Sequence, residues 1–514
     1  MPVTDEFVAA AGRDPRRPAL TIGEAVDLDR AALDYGTLIA RARAVAHALP
    51  ALLDGRLEAG RTRIALLATD NAPFVPIFLG ILLAGATAVI LDPKWTAGER
   101  HRALKAARAD LLVADAAIAD AGVATVAAAD PELDLARPGA PAAPVPGDDA
   151  PFLITFTAGT TAAPKGLIRS HRSWRASLAA ARQAFPIVCG DAVLIPGPLA
   201  HSVSLFALVE ALSAGAHVHL LSRFDAATVL ATLARHPISR LTAVPTMYAA
   251  IAAKAEAGAH GRRFAGVTAL VSAGSKLEPG LRERLARVFP RARIVEYYGA
   301  SELSFVAFGS ADDGCPASAV GRPFPGVRVR IRDRGGRDVE PGRVGRLWVR
   351  SPMLASGYLE GGDGDALHDA EGWATVGDHA RLDADGWIHL VGRDQGMLVS
   401  GGLNIYPAEV EAVLRDADAV AEALVLGLPD PYWGECVVAI VSPRPGRRPA
   451  RATLLAHCRQ RLAVYKCPKR FFLVDAMPMT PSGKVARDRL RRMLLAEAAS
   501  IAELVAELGA DAAE

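Results

Sequence analysis

The segment Thr155-Phe156-Thr157-Ala158-Gly159-Thr160-Thr161-Ala162-Ala163-Pro164-Lys165-Gly166 places hydroxyls, glycine and one lysine directly after an apolar run. Small residues let main-chain N–H groups approach anionic oxygens, hydroxyls add donors, and a lysine adds a point charge. The segment therefore has the chemistry of a polyphosphate cradle, and equally the composition of a plain turn. It is not a Walker A loop, because Pro164 stands where that motif needs its second glycine. Further polar clusters follow in order: Tyr298-Gly299-Ala300-Ser301-Glu302, Gly377-Asp378, Gly392-Arg393 and Pro481-Ser482-Gly483-Lys484. Each alone is a common turn or strand end. Their weight lies in their company and order.

Together these motifs resemble the adenylate-forming superfamily of acyl-CoA synthetases, aryl-CoA ligases, luciferases and peptide-synthetase adenylation domains, over nearly the whole chain, and most of all its acyl-CoA ligases. The resemblance implies an enzyme that joins a carboxylic acid to ATP, with Mg²⁺, as an acyl-adenylate and then transfers the acyl group to a thiol. Thr157, Gly159, Thr160, Thr161 and Lys165 would cradle the β- and γ-phosphates. Ala158 stands where Ser is common and Ala162 where Gly is common, which removes a donor and loads a backbone position that prefers glycine. Tyr298, Gly299, Ser301 and Glu302 would serve adenine, acyl group, phosphate and Mg²⁺, a metal that often takes one carboxylate plus substrate phosphates. Glu296 would accept the adenine amino group, and Ser272-Ala273-Gly274-Ser275 would form a wall of that pocket. Asp378 could accept both ribose hydroxyls, since a carboxylate offers two oxygens, and Arg393 would add a donor. Lys484 would neutralise charge at the carboxylate and α-phosphate; read structurally it is a solvated loop residue. Gln395 occupies a hinge where Asp or Lys is usual, and Gly402 would line the pantetheine tunnel of coenzyme A.

Amino-acid-activating relatives carry an Asp after the phosphate loop. The corresponding Pro198-Leu199-Ala200-His201-Ser202-Val203-Ser204-Leu205-Phe206 has no acid, which disfavours an α-amino acid substrate. His201 resembles the histidine that acyl- and aryl-CoA ligases present to the carboxylate or the thiol tunnel; a lone histidine is also commonly structural. Lys276 either meets a second substrate carboxylate or is solvated. The expected activity is an acyl-CoA ligase acting on a non-amino carboxylic acid. The alternatives are a stand-alone loader of a carrier-protein thiol and a nucleotide-binding protein whose loop changes have impaired catalysis.

The elements that must position these residues alternate along the chain. Strand-like runs such as Ile64-Ala65-Leu66-Leu67, Leu111-Leu112-Val113, Leu153-Ile154-Thr155-Phe156, Ala192-Val193-Leu194-Ile195 and Ala269-Leu270-Val271 are separated by alanine-rich helical stretches, an α/β pattern with buried sheets. Asn71 to Leu91 is free of charge and long enough to imitate a membrane span. Pro73, Pro76, Gly80 and Gly85 interrupt it, so a buried helix, a turn and a strand are expected. Residues 127–151 are rich in Ala, Pro and Asp and read as a surface connection. Beyond Arg393, helices over 408–415 and 452–462 and strands over 423–427 and 436–441 suggest a small mobile α/β C-terminal domain, residues 395–514, after a large α/β N-terminal domain, residues 1–394. Residues beyond Met493 are expected to form a helical tail without a phosphopantetheine site.

At 514 residues the chain exceeds what one core usually organises. Its 58 basic and 56 acidic residues leave a formal charge of +2 and suggest no nucleic-acid surface. Five scattered cysteines without a CxxC pair read as reduced thiols, and residues 1–17 show no apolar signal core, so a cytoplasmic protein is expected.

Overall fold

The computed structural model describes residues 3–25, 27–116, 118, 122–128, 146–157, 165–257, 263–333, 335–359, 367–393, 398–478, 487–496 and 502–503. The described residues divide into two units, one within 3–93, 103–157 and 165–393, the other within 94–102 and 398–503.

Two large sheets organise the first unit. In the nine-stranded sheet, Arg293–Ala300, Ala269–Ser272, Arg240–Ala243, Ala192–Ile195, His217–Leu221 and Pro18–Gly23 run parallel at the centre. Antiparallel strands lie outside them, Ala31–Asp34 at one end and Ser304–Ser310 with Arg322–Pro323 at the other. The seven-stranded sheet runs Gly357–Tyr358, Lys165–Ser170, Pro151–Thr157, Thr87–Ile90, Arg63–Leu67, Leu111–Ala114 and Thr125–Ala127. Its first two strands are antiparallel additions to a parallel set. Central parallel strands are covered on both faces, which is why Ile64, Ala65 and Leu66 are all fully buried rather than alternating. A four-stranded antiparallel sheet, Arg328–Arg332, Gly345–Arg350, Asp378–Leu382 and Ile388–Arg393, completes the unit.

The charge-free passage resolves into the helix Asn71–Leu83, capped by the Asp70 carboxylate accepting from Ala72 N at 2.9 Å, a turn at Gly85, and the strand Thr87–Ile90. The helix is buried nearly all round, so no polar face was needed. Among the described residues no helix is long and apolar enough to cross a membrane.

A histidine stack lies on the parallel sheet. His217 and His219 are two apart on one strand and so share a face, with ring centroids 4.1 Å apart; His236 follows at 4.6 Å from His219. Thr21 Oγ1 meets His217 Nε2 at 2.9 Å, and Asp29, paired with Arg235, lies 3.2 Å from His236 Nε2. His219 is 2% exposed and neither of its ring nitrogens has a hydrogen-bond partner. Burial, followed by the neighbouring histidines, pushes His219 down to about 3; burial, then His236, pushes His217 down to about 4. A folded-state value below the unfolded 6.5 means the unfolded chain binds more protons between the two, so stability is full above about pH 6.5 and falls as pH drops through the window. We expect acidification from pH 7 to pH 4 to destabilise the protein by roughly 3 kcal/mol for each of His217 and His219. His219→Phe should flatten that dependence in a denaturant-midpoint series; an unchanged slope would remove the stack from the account.

The second unit has its own core. Along Val420–Asp430, Ala423 and Val425 pack with Val437, Ala439 and Val441, while Leu424, Leu426 and Leu428 pack with Cys436, Val438 and Ile440. This period of two fills both faces of one strand pair. The strand pairs with Gly434–Pro443, beside the helices Pro407–Arg415 and Arg451–Arg461. Leu398–Ser400 and Leu403–Ile405 form a hairpin across Gly401-Gly402, with φ 59° and 76°; a two-residue turn with both angles positive is a type I′ turn, which favours glycine. The helical tail is corrected by the structure. The helix Arg487–Leu495 is present, but Ala502–Glu503 is a strand, because the edge of Arg470–Leu473 offers it ladder hydrogen bonds.

Candidate active site

The described flanks of the phosphate-loop segment are antiparallel strands. Pro151–Thr157 pairs with Lys165–Ser170, and Thr157 faces Lys165 at its mouth. Gly159, Thr160 and Thr161, with the departures Ala158 and Ala162, lie outside the described residues, as do Gln395 and Lys484. Lys165 Nζ sits 5.7 Å from the ring centroid of Tyr358. The Tyr358 hydroxyl donates to Glu302 Oε1 at 3.2 Å. One aromatic side chain therefore joins the loop lysine to the carboxylate of the second motif.

Glu302 belongs to the three-residue turn Ser301-Glu302-Leu303 that links Arg293–Ala300 to Ser304–Ser310. Leu303 N donates to Ala300 O at 3.1 Å, and Ser304 follows in the left-handed region at φ 58°. The residue that follows this three-residue turn thus has a positive φ, a conformation glycine usually takes. Glycine is required instead at Gly299, where a Cβ would lie 2.1 Å from Ser304 O. Glu302 is buried and its main-chain oxygen accepts from Ala355 N at 2.9 Å.

Tyr298 donates its hydroxyl to Asp378 Oδ2, and Asp378 faces Arg393 across its sheet. Two motifs separated by 80 residues thus meet. Glu296 is buried and occupied by the protein itself: Oε1 accepts from Leu277 N at 2.6 Å and Oε2 pairs with Arg282. A carboxylate offers about four lone-pair sites, so these two partners leave room for a further donor. Gly274 follows the strand Ala269–Ser272 at φ 94°. Lys276 donates to Ala319 O, and burial lowers its pKa. His201 is the N-cap of Ser202–Ala214 without a side-chain cap bond. That helix's one acid, Glu210, is buried against Arg240 at 3.1 Å. Gly402, in the second unit, occupies the type I′ turn.

Sequence reasoning missed Tyr358. Its signal was faint: Gly357-Tyr358 is a two-residue strand, placed by pairing Tyr358 with Leu167 and Gly357 with Ile168. It also missed Arg169, Ser177 and Ser304, whose hydrogen bonds lie beneath the Glu302 turn.

The chain matches the family model described as AMP-binding enzyme over residues 7–359 and that of the AMP-binding enzyme C-terminal domain over residues 409–484. The chain belongs to this family of adenylate-forming enzymes. It is 38% identical, over 84% of its length and 88% of the relative's, to a Bacillus subtilis protein described as an uncharacterized acyl–CoA ligase. Its fold superposes on o-succinylbenzoate CoA synthetase from Bacillus subtilis, bound with a product analogue, with a TM-score of 0.86 at 26% identity, covering 98% of this chain and 100% of that one. It also superposes on a malonyl-CoA ligase holding methylmalonyl-CoA and AMP, with a TM-score of 0.79 at 32% identity and coverage of 90% and 97%.

Proposed function

We propose that this AMP-forming acid–CoA ligase activates a non-amino carboxylic acid. A carboxylate oxygen attacks the α-phosphorus of ATP, the bond to pyrophosphate breaks, and the thiol sulfur of coenzyme A, losing its proton, then displaces AMP from the acyl carbon. The observation that carries this reading is the convergence of Lys165 and Glu302 on Tyr358. It brings a cation and a hard oxygen ligand together, as neutralising a leaving pyrophosphate requires. Tyr298 and Asp378 would hold adenine and ribose, with Arg393 as a further donor, and the main-chain turn at Gly274 would face the base. Thr157, Gly159, Thr160 and Thr161 would cradle the phosphates. Lys484 would act in adenylate formation, His201 at the acid or thiol, Gly402 along the coenzyme, and Gln395 as the hinge between residues 1–394 and 395–514.

Among the described residues no group of three or more His, Cys, Asp or Glu side chains could hold a metal ion. Mg²⁺ binds through one or two carboxylates plus substrate phosphates, so Glu302 would supply the protein carboxylate and the Ser301 hydroxyl would meet the phosphate. When bound, Mg²⁺ would neutralise phosphate charge. The five cysteines, none in a disulfide, fit a cytoplasmic enzyme.

A panel of carboxylic and α-amino acids tests the reading. We expect pyrophosphate release to depend on a non-amino acid and the thioester to form on free coenzyme A. Preference for an α-amino acid, or thioester on a carrier protein alone, would overturn it.

A further inference from the structure

Arg169, near the end of the Lys165–Ser170 strand, is 6% exposed and pairs with no carboxylate among the described residues. Its partners are hydroxyls and a ring. Nε donates to Ser173 Oγ at 3.2 Å, Nη2 donates to Ser177 Oγ at 3.2 Å, and the guanidinium lies 5.4 Å from the Trp174 ring centroid. Burial alone pushes it down to about 10, so the group stays charged at neutral pH.

A serine has one proton and two lone pairs, which limits the direction of each bond. Ser173 gives its proton to Ser170 O at 3.1 Å, and Ser177 gives its proton to Ser173 O at 2.9 Å. Both therefore turn lone pairs toward Arg169. Ser177 Oγ also meets Ser304 Oγ at 2.9 Å; with the Ser177 proton given to Ser173 O, Ser304 is the donor of that pair. Ser304 is also the residue held at φ 58° immediately after the Ser301-Glu302-Leu303 turn. A β-hydroxyl residue accepts that conformation reluctantly, and a hydrogen bond to a fixed acceptor is a means of keeping it there.

We propose that Arg169 and Ser177 are positioning residues for Glu302: the guanidinium orients Ser177, Ser177 accepts from Ser304, and Ser304 holds the turn that carries the carboxylate. The inference rests on the reading of Glu302 as a participant in adenylate formation.

Ser177→Ala leaves the Ser304 hydroxyl without its acceptor. We expect kcat for acid-dependent pyrophosphate release to fall about tenfold with KM for the acid unchanged, because misplaced groups cost rate rather than ground-state binding. In the enzyme without substrates, hydrogen exchange at amides 300–306 should quicken about tenfold while that of the Arg63–Leu67 strand stays fixed. Arg169→Lys, which keeps donors for both serines, should retain more rate than Arg169→Met. In a Ser304→Gly background, where positive φ needs no support, Ser177→Ala should cost nothing further. Wild-type kcat and hairpin exchange in Ser177→Ala would overturn the proposal, as would a loss that tracks only the amount of folded protein. Glu302→Gln separates the two levels. Wild-type rate in that variant defeats the reading of Glu302, whereas a slow Glu302→Gln beside a normal Ser177→Ala defeats only the positioning role.

Discussion

Glu302→Gln is expected to lower acid-dependent pyrophosphate release by about 10² to 10³-fold, the loss that accompanies removal of one preorganised group at a developing charge. The substitution keeps the shape of the side chain and still offers Tyr358 an oxygen, so the turn and the bond to Ala355 N should persist. What is lost is the negative charge. Nucleotide binding by calorimetry and thermal unfolding should be close to wild type. A rate within threefold of wild type at saturating Mg²⁺ would remove Glu302 from the chemistry.

Lys484→Ala should divide the two half-reactions. Adenylate formation brings a carboxylate and a polyphosphate together, and a flexible ammonium offsets that repulsion at the moment of attack. Attack of a thiol on a ready-made acyl-adenylate has no such meeting of anions. We expect pyrophosphate release to drop by about 10²-fold or more while supplied acyl-AMP is converted to thioester at near wild-type rate. Acetylation of Lys484 should act like the substitution, since it removes the same charge. Equal losses in both half-reactions would count against the assignment.

The α/β class was legible because buried parallel strands leave a plain mark. Ile64-Ala65-Leu66-Leu67 and Ala192-Val193-Leu194-Ile195 are short apolar runs, and both are strands. The four-stranded sheet was not read in advance. Arg328-Val329-Arg330-Ile331-Arg332 alternates with charge, and its arginines are accommodated by stacking, Arg330 on Trp373 and Arg332 on Trp348. Its period of two was a strand signal passed over; what the sequence does not show is which tryptophans cover the arginines. The same limit applies at the site. Tyr298, Glu302 and Asp378 stood out by type and spacing, whereas Tyr358 and Arg169 acquire meaning only through strand pairing and burial. Glu296 stood out too, yet its hydrogen bond to Leu277 N and its pairing with Arg282 are tertiary and left no trace in its own neighbourhood.

The docking of Gly357–Tyr358 onto Lys165–Ser170 also bears on how the chain is made. About 190 residues separate the partners, and at roughly 5–20 residues per second a ribosome takes on the order of 10 to 40 s to supply the second after the first. Through that interval the hairpin that frames the phosphate loop has a naked outer strand, Lys165-Gly166-Leu167-Ile168-Arg169-Ser170, open to pairing with any passing chain. Lys165 at its start and Arg169 next to its end put charges on that edge, the kind of residue that discourages such pairing.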